Sequence, residues 1–420
     1  GITVTNNGTI TASKNIVGDN SSCEWVNAAN ATVNVGKNIM STGKLDCSAA
    51  GNTVTYYKSG NQNIKTPESN IYHHLKLNGT GTKELQDDIT VKGDVRIESS
   101  VLTFNSSNFN MTLEGDWYNF GSFTEGSGSV TFSGTSDQSI SHVLLEETFY
   151  NLTVNKSSGN LNLLSDVVIS NDLTMTSGNI VTSDKTITLG TSTGNEGTLT
   201  YTAGTIVGDF ERWVNTTGTY FLFPVGTATS HNPIQVSFNS LTGGTLKAEF
   251  IDSPPLTSGL PVVDASVTLR NTFVEGYWDL SAANSLASSN YNTRAQANNF
   301  NSFTIDNSTR LLMRPNSSSN WTVEGSNSAR SGNNIRRTTM STLSSQVAIG
   351  DTTNCTPPAI SKISGPDSVC TSSNQVYSVT DVPGDTYTWS VTGGTISTGQ
   401  GTSSVTIAWS ATGGTRTVSV

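Results

Sequence analysis

The sequence predicts an all-β fold in which a right-handed parallel β-solenoid is followed by an antiparallel β-sandwich and an incomplete immunoglobulin-like domain. One pattern occurs twice, 76 to 78 residues apart, and such a period is typical of repeat architectures. The repeated units are short apolar-x-apolar triplets separated by Gly, Ser, Asn and Asp, which is strand periodicity interrupted by turns. No long segment has the 3.6-residue apolar period of a helix, and residues 281–297 are only a weak helix candidate.

The duplication covers residues 54–113 and 130–189. A lone three-residue strand cannot bury a core, but a coiling chain can stack such strands so that their inward residues form a continuous core. Residues 1–205 are therefore predicted to form the solenoid, and the Asp and Asn residues that recur with the repeat are predicted to lie at its corners. Matched positions include Val54 with Val130, Tyr56 with Phe132, Gln62 with Gln138, Tyr72 with Phe149, Asp88 with Asp166, Asp94 with Asp172 and Leu113 with Leu189.

The pattern changes near Gly208, where strands lengthen and aromatic residues gather. Strands of this spacing, joined by Pro and Gly turns, predict an antiparallel sandwich over residues 206–350. Residues 351–360 contain paired prolines and are predicted to be a linker. Residues 361–420 hold five short strands, too few for a complete immunoglobulin-like domain. Because the chain begins and stops in mid-pattern, we expect a segment of a larger polypeptide that continues into further domains.

The composition narrows the range of partners. The chain has 420 residues, a formal net charge of −10 and a charged fraction of 13%, which is about half the usual share in soluble proteins. Hydroxyl and amide side chains supply the remaining polarity, as is typical of secreted bacterial β-proteins. The negative charge disfavours nucleic acids and anionic membranes as partners. No apolar run is long enough to span a membrane.

The four cysteines form two local pairs. Cys23 and Cys47 lie 24 residues apart, about one coil, so a disulfide between them would tie neighbouring coils together. Cys355 and Cys370 flank the predicted linker, and Cys370 has the alternative of a partner beyond the end of this chain. Neither pair has C-x-x-C spacing, and the four histidines do not complete a zinc site. We therefore predict two disulfides, which implies an oxidising compartment.

The solenoid offers one candidate set of catalytic residues. Lys92, Asp94 and Arg96 share strand parity and would line one face, as the groove of a polysaccharide lyase or hydrolase requires. Asp94 recurs in the second copy as Asp172, whereas Lys92 and Arg96 do not recur. A position at a corner explains why a residue follows the repeat, so we favour a structural interpretation of Asp94.

Other charged pairs suggest no site. Asp87-Asp88 and Glu146-Glu147 are predicted to be solvated loop charges, because adjacent residues on a strand point in opposite directions. The same argument excludes His73-His74 as a metal-binding pair. Asp381 and Asp385 are weak calcium candidates, because calcium takes about six or more oxygen ligands, and no other cofactor is indicated.

Threonine and tryptophan raise two binding hypotheses. Thr-x-Thr pairs would form an ice-binding ladder if every coil carried the same pair, but the second copy has Ser129 beside Thr131. Tryptophans in alternating patterns are predicted to be core residues rather than sugar-stacking platforms. These tryptophans are Trp213, Trp278, Trp321, Trp389 and Trp409.

A motif pattern spans the C-terminal segment and consists of Gly365, Pro366, Val369, Cys370, Tyr377, Val379, Tyr387, Trp389, Ile407 and Trp409. This pattern resembles the PKD-like domains of large Bacteroidota cell-surface proteins. The middle segment is similar to a β-sandwich module of the same proteins, although Gln346 and Val347 stand where an aromatic residue is common. Its matching positions are Arg212 to Val214, Phe223 to Gly226, Glu275 to Trp278 and Arg336 to Thr338.

The resemblance implies a long surface adhesin, of the type that includes gliding-motility adhesins, exported by the type IX secretion system. It also implies O-glycosylation at Thr352 and Ser368, which lie in the three-residue signals of that phylum. We therefore predict a non-enzymatic, extracellular cell-surface segment that provides reach and attachment to surfaces or glycans. The alternative is a carbohydrate-active solenoid, either an enzyme or a binding module, with an acidic, aromatic-lined groove.

Overall fold

A computed structural model describes residues 1–101, 103–143, 145–353, 362–382 and 386–420. Within these residues the chain is almost entirely β-strand, with one 3-10 turn at Glu68–Asn70, so the all-β prediction is confirmed. The chain divides into two compact units, residues 1–353 and residues 354–420. No helix among the described residues is long and apolar enough to cross a membrane.

The first unit begins with a parallel β-solenoid. In one inward column, Val33 lies beside Val54, and Val54 lies beside Leu75. The column continues through Val95 and Trp117 on the next two coils. All five side chains are fully buried. Stacked apolar side chains thus give these short strands a continuous core, as the repeat predicts.

The solenoid strands are short apart from two that continue around corners. They are β1 (Thr3–Asn6), β2 (Thr9–Ala12), β3 (Glu24–Asn27), β4 (Thr32–Val35), β5 (Lys44–Asp46), β6 (Thr53–Tyr56), β7 (Gln62–Asn63), β8 (Ile71–Tyr72), β9 (His74–Leu77), β10 (Thr82–Glu84), β11 (Ile89–Val91), β12 (Val95–Ile97), β13 (Thr103–Asn105), β14 (Met111–Leu113), β15 (Trp117–Asn119), β16 (Phe123–Thr124), β17 (Ser129–Phe132), β18 (Gln138–His142), β19 (Glu147–Leu163), β20 (Val167–Leu189) and β21 (Thr198–Tyr201).

The rest of the first unit is an antiparallel sandwich. Its strands are β22 (Ile206–Val214), β23 (Tyr220–Phe223), β24 (Ile234–Thr242), β25 (Gly244–Ile251), β26 (Val262–Asp264), β27 (Val267–Leu269), β28 (Asn271–Thr272), β29 (Tyr277–Ala283), β30 (Ala287–Gln296), β31 (Arg310–Arg314), β32 (Ser326–Ser331), β33 (Asn334–Met340) and β34 (Ser345–Asp351).

Strand β22 joins the solenoid to the sandwich. It pairs in parallel with β20 on one side and antiparallel with β25 on the other. The sheet then continues through β29, β34 and β31, with all pairings antiparallel. One sheet therefore runs from the solenoid into the sandwich without a break, and strand direction changes at β22.

The second sheet of the sandwich has the order β23-β24-β30-β33-β32. Its strand β30 occupies most of the segment that was the weak helix candidate, so that candidate is wrong. Tyr291, Thr293 and Ala295 are buried while the residues between them are not. This two-residue alternation places one face of β30 in the core, which favours a strand over a helix.

The second unit is a small sandwich. Its strands are β35 (Asn374–Ser378), β36 (Ser390–Thr392), β37 (Gly394–Thr398), β38 (Ser404–Trp409) and β39 (Thr417–Ser419). They form a sheet of order β35-β38-β37 and a two-stranded sheet of β36 and β39. Tyr377, Trp389 and Trp409 are buried in its core with Val405 and Ile407.

The predicted disulfide between Cys23 and Cys47 is wrong, because both are buried free thiols. Val26 lies beside Asp46, so the coil at this face advances the chain by 20 residues rather than 24. Cys47 is consequently level with Asn27, four residues along the strand from Cys23. That offset is about 13 Å at 3.3 Å per residue, whereas bridged cysteines have Cα atoms within about 7 Å.

Candidate functional site

The two basic residues of the predicted catalytic set are used in contacts between side chains on the solenoid surface. Lys92 Nζ forms an ion pair with Glu114 on the next coil. Arg96 Nε donates to Glu98 at 2.8 Å, and its guanidinium lies 4.4 Å from the ring centre of Phe120. Both side chains point outward, as their shared parity predicts, but each is already bound to a neighbouring glutamate.

Asp94 lies at a coil corner. Its Oδ1 accepts a hydrogen bond from the backbone N–H of Asp116, one coil later, at 2.9 Å. Asp116 Oδ1 in turn accepts from the N–H of Ser139 at 2.7 Å, and Asp166 Oδ1 accepts from the N–H of Thr186 at 2.8 Å. Each carboxylate satisfies a backbone donor at a corner, a group that is costly to leave unpaired when it is buried. The corner interpretation therefore holds for Asp94 and Asp166. Asp172, the repeat equivalent of Asp94, instead lies within β20 and accepts from the hydroxyls of Thr174 and Thr200.

A cleft opens at the corners of two successive coils. Its larger part has a volume of about 810 Å³ and is lined by His142, Val143, Leu145, Glu146, Thr148, Leu164, Ser165, Asp166 and Lys185. An adjoining part of about 360 Å³ shares Glu146 and Asp166 with it and adds Val168, Thr186, Thr188, Glu211, Lys247, Ser281 and Ala283. We refer to the two parts together as the junction cleft.

The floor of the junction cleft crosses from the solenoid to the sandwich. Thr188 lies beside Glu211, Glu211 beside Lys247, and Lys247 beside Ser281, each on a neighbouring strand. Thr188 Oγ1 donates to Glu211 Oε2 at 3.2 Å. Lys247 Nζ is 2.5 Å from a carboxylate oxygen of Asp209. The floor is therefore a row of hydroxyl, carboxylate and ammonium groups that lies perpendicular to the strands.

Below the larger part of the cleft lies a buried carboxylate, Glu147. Its Oε2 accepts hydrogen bonds from Trp117 Nε1 and Asn119 Nδ2, both at 2.9 Å. His142 lines the cleft, and its Nδ1 is 3.7 Å from the same oxygen. Burial raises the pKa of Glu147 to about 7, although both hydrogen bonds act in the opposite direction. A perturbed pKa beside a cleft is a common feature of functional sites.

The prediction that Glu146 and Glu147 are both solvated is wrong for Glu147, which is 2% exposed. Glu146 is exposed, as predicted. The sequence contained the necessary signal, because Glu147 shares strand parity with the inward residue Phe149. Adjacent residues do point in opposite directions, but that rule alone does not say which of the two points inward.

Two buried lysines, which no sequence pattern indicated, hold coil turns together. Lys83 Nζ donates to the carbonyl oxygens of Lys58, Gly60 and Thr80 at 2.8 to 3.1 Å. Burial, followed by the charge of Lys58, lowers the pKa of Lys83 to about 8. Each ammonium hydrogen has a carbonyl acceptor, so this lysine is structural. Lys156 makes the same kind of contact with Gly134, Ser136 and Gln138.

Six outward threonines are in register on successive strands, namely Thr90, Thr112, Thr131, Thr153, Thr174 and Thr200. The parallel column two residues earlier is irregular, because Ser129, Asn151, Asp172 and Thr198 succeed one another in it. The same outward pair is therefore not repeated on every coil, which agrees with the argument against an ice-binding ladder.

The tryptophans are mostly core residues, as predicted. Trp278, Trp321, Trp389 and Trp409 are buried, whereas Trp213 is partly exposed. Among the residues described along the junction cleft there is no Phe, Tyr or Trp. The cleft thus has the acidic character of the carbohydrate-active alternative, but not its aromatic lining.

The remaining candidates lie near the end of the first unit or in the second. Asp381 is exposed, and Asp385 lies outside the described residues. The described residues contain no group of three or more acidic, His or Cys side chains that could hold a metal ion. Thr352 is partly buried, and its hydroxyl is 3.4 Å from that of Ser308. Ser368 is exposed.

The predicted pairing of Cys355 with Cys370 remains a prediction. Cys355 lies outside the described residues, as does most of the predicted linker. Cys370 is an exposed free thiol in the structure. An exposed thiol can form a disulfide with a cysteine of this chain or of another.

Comparison with protein families identifies one part of the chain. Residues 356–420 match the model of the PKD-like domain family. The match coincides with the second compact unit, whose buried Tyr377, Trp389 and Trp409 belong to the motif pattern seen in the sequence. No curated protein and no solved structure is significantly similar to the chain.

Proposed function

We propose that this chain is an extracellular, non-enzymatic segment of a large bacterial surface protein that provides reach and attachment to surfaces or glycans. The observation that carries the proposal is the uninterrupted sheet that joins the solenoid to the sandwich through β22. Such a sheet makes the first unit one extended scaffold, because each coil is bonded to the next and the last coil to the sandwich. A PKD-like domain adjoining it in the sequence is consistent with a modular surface protein.

The contacts of the predicted catalytic residues support a non-enzymatic function. Lys92, Asp94 and Arg96 each bind a neighbouring group, and Asp94 satisfies a corner amide. Glu147 has the perturbed pKa of a catalytic acid, but it is buried beneath the cleft and accepts two hydrogen bonds from core side chains. A general acid must reach the atom that it protonates.

The finer parts of the proposal rest on the resemblance to Bacteroidota surface proteins. We propose export by the type IX secretion system, an adhesive function of the gliding type, and O-glycosylation at Thr352 and Ser368. Within this proposal the chain continues into further domains of the same polypeptide, and its partners are environmental or cell-surface glycans. The second candidate function is a carbohydrate-active solenoid that uses the junction cleft. The acidic lining of the cleft favours this alternative.

A combined turnover and retention screen tests the proposal. The full chain is incubated with acidic and neutral polysaccharides while unsaturated products and reducing ends are followed, and its retention on the same immobilised glycans is measured. We expect retention without turnover. Cleavage that is lost in Glu147→Gln or His142→Ala, with folding intact, would make the solenoid an enzyme and overturn the proposal.

A further inference from the structure

We infer that the junction cleft binds an uncharged oligosaccharide chain that lies across the strands, from the solenoid corners to the sandwich. This inference rests on the proposed function and names the ligand class and the binding site. The floor row from Thr188 to Ser281 covers four neighbouring strands, which is about 14 Å at 4.8 Å per strand. The wider corner part extends the site further. An elongated cleft of this kind suits a chain of sugar units better than a compact small molecule.

The cleft has polar groups that the fold leaves available. In the part of the chain that the structure describes, the side chains of Glu146, Thr186 and Ser281 line the cleft and have no hydrogen-bond partner. One is a carboxylate and two are hydroxyls, and a few such groups in a pocket fix the orientation of a ligand. Sugar hydroxyls both donate and accept, so they can bind all three.

The corner part of the cleft also exposes apolar side chains. Val143, Leu145 and Leu164 are 53%, 69% and 57% exposed and lie on two successive corners. Clustered exposed apolar residues mark interaction sites more often than isolated ones do. The C–H faces of sugar rings are apolar and would cover these side chains, while the ring hydroxyls reach the polar groups.

The charge of the cleft favours an uncharged ligand. The lining contains three carboxylates, of Glu146, Asp166 and Glu211, and two ammonium groups, of Lys185 and Lys247, which leaves a small negative excess. The whole chain carries a formal charge of −10. A polyanionic glycan would therefore be repelled both locally and by the overall field.

The test measures binding of the full chain by calorimetry to uncharged hexasaccharides of the β-glucan, mannan and galactan types, and to a polygalacturonate hexasaccharide. Two variants probe the two ends of the cleft. Glu146→Ala should weaken binding about tenfold, because it removes a charged acceptor, and Ser281→Ala about threefold, because it removes a neutral hydroxyl. Asp87→Ala and Ser331→Ala are matched controls, since both residues are exposed and lie outside the cleft. Thermal melting confirms that all four variants are folded.

Weaker binding of an uncharged glycan by both cleft variants, with unchanged controls, supports the inference. Equal affinities for all variants, a preference for polygalacturonate, or no binding to any glycan in the set would overturn it. If no glycan is cleaved, those outcomes contradict only this inference and not the proposal of a non-enzymatic scaffold. Turnover in the same samples would instead refute the proposed function itself, so the two failures are distinguishable.

Discussion

At the scale of single residues, Glu147 is a carboxylate whose ionisation the fold resists. Trp117 and Asn119 each donate a hydrogen bond to it, but burial outweighs both and raises its pKa to about 7. The ordinary glutamate pKa is 4.5. Between these two values the folded chain retains a proton that the unfolded chain has released, and this difference couples folding to pH.

The free energy of unfolding should therefore fall as pH rises from about 4.5 to about 7 and level off above that range, as far as Glu147 contributes. The contribution is on the order of 3 kcal/mol. Glu147→Gln keeps an acceptor for Trp117 and Asn119 but cannot ionise, so its stability relative to the wild type should increase across this window. Urea denaturation at several pH values measures the difference. Glu146→Gln, at the exposed neighbouring position, is the control, and parallel profiles for wild type and Glu147→Gln would contradict the argument.

At the scale of elements, the coil turns are fixed by buried polar side chains as well as by the apolar columns. Gln62 Oε1 accepts from the N–H of Lys58 at 3.1 Å, and its repeat equivalent Gln138 accepts from the N–H of Gly134 at 2.8 Å. Lys83 and Lys156 then bind the carbonyl oxygens of the same turns. Backbone groups that a tight turn removes from the strand ladders are thereby satisfied inside the protein.

Lys83→Met should destabilise the first unit by about 1 kcal/mol. The substitution leaves the carbonyl oxygens of Lys58 and Gly60 without a donor, at about 1–3 kcal/mol each, whereas the carbonyl oxygen of Thr80 keeps the N–H of Gly60 as its donor. The two losses together exceed the roughly 3 kcal/mol of lysine desolvation that the substitution relieves. Lys14→Met, at an exposed position, should have no measurable effect. Chemical denaturation measures the free energy of unfolding of both variants. A neutral or stabilising Lys83→Met would mean that the turn does not depend on the ammonium group.

The sequence predicted the elements that follow the repeat and not those that depart from it. Asp94 and the inward column that begins at Val33 follow the repeat spacing, so their positions could be inferred from the sequence. Lys83 and Lys156 are 73 residues apart, outside the 76 to 78 residue interval, and charged residues are rarely fully buried. The Cys23 prediction failed because coil length varies from face to face. The junction cleft has no sequence motif, because it forms where coil corners meet strands of the sandwich.

At the scale of the whole molecule, the first unit combines two architectures with different modes of folding. A solenoid contacts only neighbouring coils, so its stability can spread along the array one repeat at a time. The sandwich instead closes a core between two sheets. Phe210 on β22 belongs to both, because it lies beside Ile187 of the solenoid and Ala248 of the sandwich. Its ring also contacts Phe223 of the second sheet, with centroids 5.7 Å apart.

We expect calorimetry of the full chain to resolve two transitions, one for residues 1–353 and one for the PKD-like unit. Phe210→Ala removes a fully buried ring, which typically costs about 3–5 kcal/mol, and should lower the first transition as a whole without splitting it. Trp389→Ala is the reciprocal control and should lower only the second, because Trp389 is in the core of the small unit. If Phe210→Ala instead separated a solenoid transition from a sandwich transition, the shared sheet would not couple the two. The scaffold would then be a chain of independently yielding modules rather than one continuous body.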